Sequence, residues 1–238
     1  MNYTDHGFIR LAAVAPELIL ADPVGNARRI VAHMQELASQ EVSLALFPEL
    51  SLTGYSCEDL FTSSDLLAAT RTGLAHIAAT APDIVAVVGA PWRLADGRLL
   101  NCAVVIGGGR IQGVVPKSAL PNYGEFYEQR WFSSGRDVHE TVANAEDAVL
   151  VSPAQIFEIN GVGFAVEICE DLWAPQQPAM QHVLEGAELI LNLSASNELV
   201  AKADYRRELI SMTSARGICG YLYASSGPME SSKDVVFG

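Results

Sequence analysis

The chain has 238 residues, half of them apolar, and its 28 acidic side chains against 15 basic ones give a formal charge of -13. One sizeable core can be buried at this length, and the acidic balance repels nucleic acid phosphates and anionic lipid surfaces, so neither nucleic acid nor a membrane is expected as a partner. Four cysteines, at 57, 102, 169 and 219, are too widely spaced for a CxxC zinc or redox motif and too few for a disulfide framework, which fits a reducing cytoplasm.

In the opening stretch MNYTDHGFIRLAAVAPELIL, the polar residues Asp5, His6, Arg10 and Glu17 break up what would have to be the unbroken apolar core of a signal peptide. No apolar run reaches membrane-spanning length. Short segments rich in Val, Ile, Leu and Ala predict buried strands, beginning with FIRLAAVAP. Asp22 and Pro23 then read as the cap and first position of a helix whose apolar face is Ala27, Ile30, Val31, Met34 and Leu37. VSLALF is the next strand, residues 65 to 79 the next amphipathic helix, and IVAVVGAP the next strand. CAVVIGG and RIQGVVP are separated only by a Gly-rich turn and predict a hairpin, which mixes antiparallel pairing into an α/β chain.

Residues 117 to 147 lack clear periodicity but hold Tyr123, Phe126, Tyr127, Trp131 and Phe132. A loop so long and aromatic reads either as a binding or lid element or as an Ω-loop packed on itself. GVGFAVEIC and ELILNLS are further strands, residues 203 to 216 a further helix, and the final SSKDVVFG begins what reads as another strand, so a fragment of a longer chain is expected. No internal repeat is present. The pattern predicts helix layers over a mixed sheet within one domain, residues 1 to 238.

Three strand ends carry reactive side chains. Cys169 ends GVGFAVEIC, Glu49 follows VSLALFP, and Lys117 follows RIQGVVP. Taken singly, each has an ordinary explanation: a lone cysteine is a small buried apolar residue, and a charge at a strand terminus is a solvated one. Taken together they are a thiol, a carboxylate and a cation at the ends where α/β folds place ligands. A thiol with the usual pKa near 8.5 is only roughly 3 per cent thiolate at neutral pH, so a nucleophilic cysteine needs a base or cation beside it. The five histidines form no HxH or HExxH pattern, and no metal site is expected.

At these residues the sequence resembles a known family. LFPELSLTGY, VVPKSALPNYGEFYE and VEICEDLW are similar to the three motif blocks of the nitrilase, or carbon-nitrogen hydrolase, superfamily, in that family's order. Within it, GYSCEDL, VPKSALPNYGEFYEQRWF, EICEDLW and NLSASNE look most like the glutaminase domain of glutamine-dependent NAD synthetases. The resemblance implies a four-layer αββα sandwich, here truncated at its C-terminal end, and a Glu-Lys-Cys catalytic set falling on Glu49, Lys117 and Cys169. It also implies hydrolysis of the glutamine side-chain amide through a cysteine thioester. Lys117 would then stabilise the oxyanion, the Glu170 backbone N–H would be a second donor, and Glu125 would be a further glutamate positioning the lysine or the substrate.

Tyr55, Tyr123 and Phe126 would close over glutamine, Ser196 and Glu170 would hold its amino-acid end, and Lys202 would meet its carboxylate. Tyr55 and Phe126 read equally as core aromatics, Glu125 as a solvated loop acid and Lys202 as a solvated lysine. No organic cofactor serves the glutaminase step. ATP and Mg would belong to a synthetase domain absent from this chain, since no GxxxxGKS or SGGxDS-type phosphate loop occurs. The family likeness also implies a homo-oligomer. Two alternatives remain: a stand-alone amidase acting on another small amide, nitrile or carbamoyl compound, and a non-catalytic binding module of the same fold.

Overall fold

A computed structural model describes residues 6–144, 147–228, 230 and 235–238. It begins with β1 (Leu11–Ala13), then α1 (Pro23–Ser39), β2 (Leu44–Leu46), α2 (Ser64–Thr80), β3 (Val85–Arg93), β4 (Leu99–Gly107) and β5 (Arg110–Pro116). β6 (Glu140–Asn144), β7 (Asp147–Val151), β8 (Ile156–Ile159) and β9 (Val162–Ile168) follow, and α3 (Pro178–Leu184), β10 (Leu189–Ser194), α4 (Lys202–Gly217) and β11 (Gly220–Ser225) complete the chain. The strands form a seven-stranded sheet in the order β1-β2-β3-β4-β5-β7-β6 and a four-stranded sheet in the order β11-β10-β9-β8.

Each helix of the first layer starts where the sequence supplies a cap. Asp22 accepts the Gly25 N–H at 2.9 Å, which satisfies one of the donors that a helix start leaves free. α1 then buries Ala27, Ile30, Val31 and Met34, and α2 buries Leu66, Leu67, Leu74 and Ile77. A Cβ on Gly73 would stand 2.9 Å from the Pro23 carbonyl oxygen, so this glycine sets how closely the two helices approach.

The period of two along the strands divides the core. Ala45, Phe47, Ala86, Val88, Cys102, Val104 and Val114 face α1 and α2. Their neighbours Leu44, Leu46, Val87, Ala103, Val105 and Val115 face Phe164, Val166, Ile168, Leu191 and Leu193 of the second sheet. Ala165, Ile190 and Tyr221 turn outward beneath Ala179, Met180 and Val183 of α3. The four layers are therefore helix, sheet, sheet and helix, the αββα sandwich.

Two sequence expectations are corrected, and a third falls partly outside the described residues. The aperiodic stretch ends at residue 139, because Glu140 opens β6 and pairs with Val151 of β7; residues 145 and 146 lie outside the described ones. α4 has the expected position but not the amphipathic burial, for only Arg206 and Thr213 are buried. Of the expected last strand, residues 231–234 lie outside the described ones, and Phe237 makes an isolated antiparallel bridge to Asn197. Among the described residues no helix is long and apolar enough to cross a membrane.

Phe164 is fully buried between the sheets and stacks on Phe157 at 5.4 Å. Phe164→Ala is expected to lower unfolding free energy by about 3–5 kcal/mol, as measured by urea denaturation.

Candidate active site

Four strand ends meet at one rim of the facing sheets. β2 continues through Phe47 and Pro48 to Glu49, β5 into Lys117, β9 into Cys169, and β10 into Ala195 and Ser196. β1, β2 and β3 are parallel, as are β9, β10 and β11. Each reactive side chain thus leaves the carboxyl end of its strand, the end at which side chains from separate strands can converge.

Gly89 of β3 makes room for the first of them. A Cβ there would lie 2.2 Å from the Leu50 nitrogen and 2.4 Å from the Pro48 carbonyl oxygen, so the turn carrying Glu49 sits flush on the strand. The Ser51 hydroxyl accepts the Gly89 N–H at 3.2 Å and fixes that contact. Glu49 Oε1 accepts from Lys117 Nζ at 2.6 Å and from Asn101 Nδ2 at 2.7 Å, while its Oε2 accepts the Ala195 N–H at 2.9 Å. Lys117 Nζ also donates to Glu128 Oε1 at 2.7 Å, an oxygen that takes a further hydrogen bond from the Tyr55 hydroxyl at 2.7 Å. Glu49, Lys117 and Glu128 are each only 1% exposed, so the ammonium has exchanged water for two carboxylates.

Cys169 stands at φ 47, in the left-handed region that a β-carbon disfavours. It opens onto a cavity of about 190 Å³ walled by Tyr123, Phe126 and Trp173, with Glu170, Ser196 and Lys202 supplying polar groups. Drug-sized ligands occupy pockets of roughly 300–1,000 Å³, so this one suits a molecule of amino-acid size. A larger open cleft, about 610 Å³, is lined by Arg136, Met180 and Leu184 among others and contains none of the three reactive side chains. Among the described residues no group of three or more His, Cys, Asp and Glu side chains is placed to hold a metal ion.

Burial pushes the Cys169 thiol well above its ordinary value, and the Glu49 charge adds to this against the opposing pull of Lys117. At rest the sulfur therefore keeps its proton and needs a base to become nucleophilic. Burial works against the Lys117 charge, but Glu128 and Glu49 outweigh it and hold the ammonium well above the usual lysine range. Lys117 is thus a permanent cation and not a base. One cation cannot neutralise two buried carboxylates, and burial pushes Glu128 up to about 7 despite Lys117. Burial and the Glu128 charge likewise raise the Tyr55 hydroxyl, which stays protonated and donates.

The chain matches the carbon-nitrogen hydrolase family model over residues 10–226. It belongs to the carbon-nitrogen hydrolase family. A glutamine-dependent NAD(+) synthetase of Mycobacterium bovis is 38% identical over 237 residues, covering 98% of this chain and 35% of that protein. Its counterpart from Mycobacterium leprae is 36% identical over 241 residues, covering 99% and 35%. A solved glutamine-dependent NAD(+) synthetase from Cytophaga hutchinsonii superposes with a TM-score of 0.86 at 30% identity, over 96% of this chain and 37% of that one. The NitN amidase from Neterenkonia sp. AN1 shares the fold, with a TM-score of 0.76 at 19% identity over 97% and 82%. This carbon-nitrogen hydrolase chain therefore spans about a third of the length of the curated relatives it matches.

Of the residues singled out from sequence, Glu49 and Lys117 are paired at 2.6 Å and near enough to Cys169 for their charges to act on its thiol, and of the three it is Cys169 that faces the cavity. Tyr123, Phe126, Glu170, Ser196 and Lys202 line it. The Tyr123 hydroxyl bonds both Glu170 oxygens, at 3.0 and 2.9 Å. Two placements differ. The carboxylate beside the lysine is Glu128, three residues after the expected Glu125, because the 3-10 turn Glu128–Arg130 directs it inward. Glu125 instead accepts from Asn197, whose side-chain oxygen in turn accepts from Lys202. Tyr55 lies behind this wall and not over the cavity, with its hydroxyl spent on Glu128. Asn101, Glu128, Gly89 and the Ala195 backbone carried no functional expectation from sequence reading; the signal that could have found one of them is a polar Asn101 inside the otherwise apolar strand β4.

Without ligand, the alkylation rate of Cys169 by iodoacetamide is expected to keep rising with pH beyond the ordinary thiol pKa of about 8.5. A plateau near neutral pH would contradict the burial-raised thiol.

Proposed function

We propose that residues 1 to 238 form a glutamine amidohydrolase unit that supplies ammonia to the synthetase part of a longer enzyme related to glutamine-dependent NAD synthetases. The observation that carries this reading is a thiol at the wall of a cavity of amino-acid size, with a tied carboxylate and a permanent cation close behind it. Similarity along nearly the whole chain to proteins named glutamine-dependent NAD(+) synthetase supports the choice of substrate. Lys202 suits a substrate carboxylate and Glu170 a substrate ammonium, with Ser196, Tyr123 and Phe126 completing the wall.

An amide resists hydrolysis because resonance weakens its carbonyl and because amide anion leaves poorly. In the proposed cycle Glu49 takes the Cys169 proton as sulfur bonds to the side-chain carbonyl carbon, and the carbonyl π electrons pass to oxygen. Lys117 stabilises that oxyanion, with the Glu170 N–H as second donor; losing one such donor typically costs about a hundred- to thousandfold in rate. Glu49 then delivers the proton to nitrogen, the carbon-nitrogen bond breaks, and ammonia leaves a thioester on Cys169. Water adds to the thioester, Glu49 moves its proton to sulfur, and glutamate departs. Neither half of the cycle calls for a metal or an organic cofactor. ATP and Mg would serve the synthetase part, in a homo-oligomer of the longer chain.

Cys169→Ala is expected to abolish glutamine hydrolysis while glutamine still binds, and Lys117→Ala to lose at least about a hundredfold in kcat when rates are corrected for folded fraction. Turnover of a simple aliphatic amide equal to or better than that of glutamine would remove the glutamine assignment. Rapid Cys169 alkylation that glutamine does not block would count against glutamine binding at this site.

A further inference from the structure

Lys117 and Cys169 belong to different sheets, so the sheets must be held in register at this rim for cation and sulfur to serve one carbonyl. Apolar packing between the sheets is strong but not directional. Two carboxylates supply directional ties. Glu49, from the first sheet, accepts the Ala195 N–H at the end of β10. Asp171 does the converse from the second sheet, two residues after the nucleophile. Its Oδ1 accepts the Ala119 N–H at 2.7 Å and the Ser118 N–H at 3.1 Å, both in the segment leaving Lys117. Its Oδ2 accepts the Ile168 N–H at 3.0 Å, in the residue before Cys169. Asp171 is 2% exposed and does not line the cavity that Cys169 opens onto.

We propose that Asp171 is a positioning residue that clamps the segment after Lys117 to the turn carrying Cys169, and so sets the cation where the oxyanion forms. The proposal rests on the hydrolase reading of the site but adds a residue that touches no reacting atom. The carboxylate is suited to the task because one group can accept N–H donors from two segments at once. Burial pushes it up to about 7 while the Ala119 and Ile168 N–H groups pull the other way. Cys169 is held at φ 47 by its surroundings, and the Ile168 tie is one of those constraints.

The test uses Asp171→Asn and, from the opposite side of the clamp, Ala119→Pro, which removes the N–H donor and keeps the carboxylate. Three quantities are measured for each: kcat and KM for glutamine, the rate of Cys169 alkylation by iodoacetamide, and the melting temperature. Alkylation passes through no oxyanion, so a displaced cation lowers turnover far more than alkylation. Expected are a fall in kcat of about tenfold or more, and changes in KM and in alkylation rate within about threefold. A merely structural role lowers turnover and alkylation together, in step with the folded fraction, and that result overturns the proposal. So do unchanged kcat in a folded variant, a change confined to KM, and failure of both variants to fold. If the parent chain hydrolyses a simple amide but not glutamine, the glutamine reading fails. The same comparison, run with that amide, then decides the clamp.

Discussion

A single buried ammonium holds this site together. Moving a charge from water into a protein interior costs several kcal/mol even after relaxation, and only close, well-aligned partners offset it. Lys117 meets that condition with Glu49 at 2.6 Å and Glu128 at 2.7 Å. The partners come from chain positions 68 and 11 residues away, so the ion cluster exists only once the first sheet and the aromatic segment have both folded. Removing one member strands the others without water, which is typically worth 3–5 kcal/mol. The cluster therefore links the stability of this rim to the chemistry it can support.

The same constraint explains the electrostatic character of the site. Because Lys117 cannot lose its proton beside two carboxylates, it can act only by its charge. Because the Cys169 sulfur is buried next to Glu49, it cannot stay ionised at rest, and proton removal must accompany attack. The Glu49 carboxylate is oriented on both oxygens, by Lys117 and Asn101 on one and by Ala195 on the other. Orientation of this kind is prepared on folding and costs no reorganisation during reaction.

How much of this was legible follows from which residues speak locally. Strands that are mostly apolar, such as β4 and β10, and helices with caps, such as α1 behind Asp22, announce themselves, and so do reactive residues placed just after such strands. β8, whose Ile156 is 39% exposed, and β6, with no buried residue among those assigned, carry too little apolar signal to be read. Glu128 was missed for a related reason. Nothing in GEFYEQR distinguishes Glu125 from Glu128 until a 3-10 turn rotates one toward Lys117 and leaves the other at Asn197. The contribution of Gly89 is a backbone contact with residues about forty positions away, and sequence alone gives no indication of that approach.

The most direct test of the account is to catch its covalent intermediate. Acid quenching of the protein during glutamine turnover, followed by mass analysis of its peptides, should show a glutamyl group on the Cys169 peptide. That group should be labile to hydroxylamine, as a thioester is. Ongoing turnover with Cys169 unmodified and the adduct on another side chain would contradict the account.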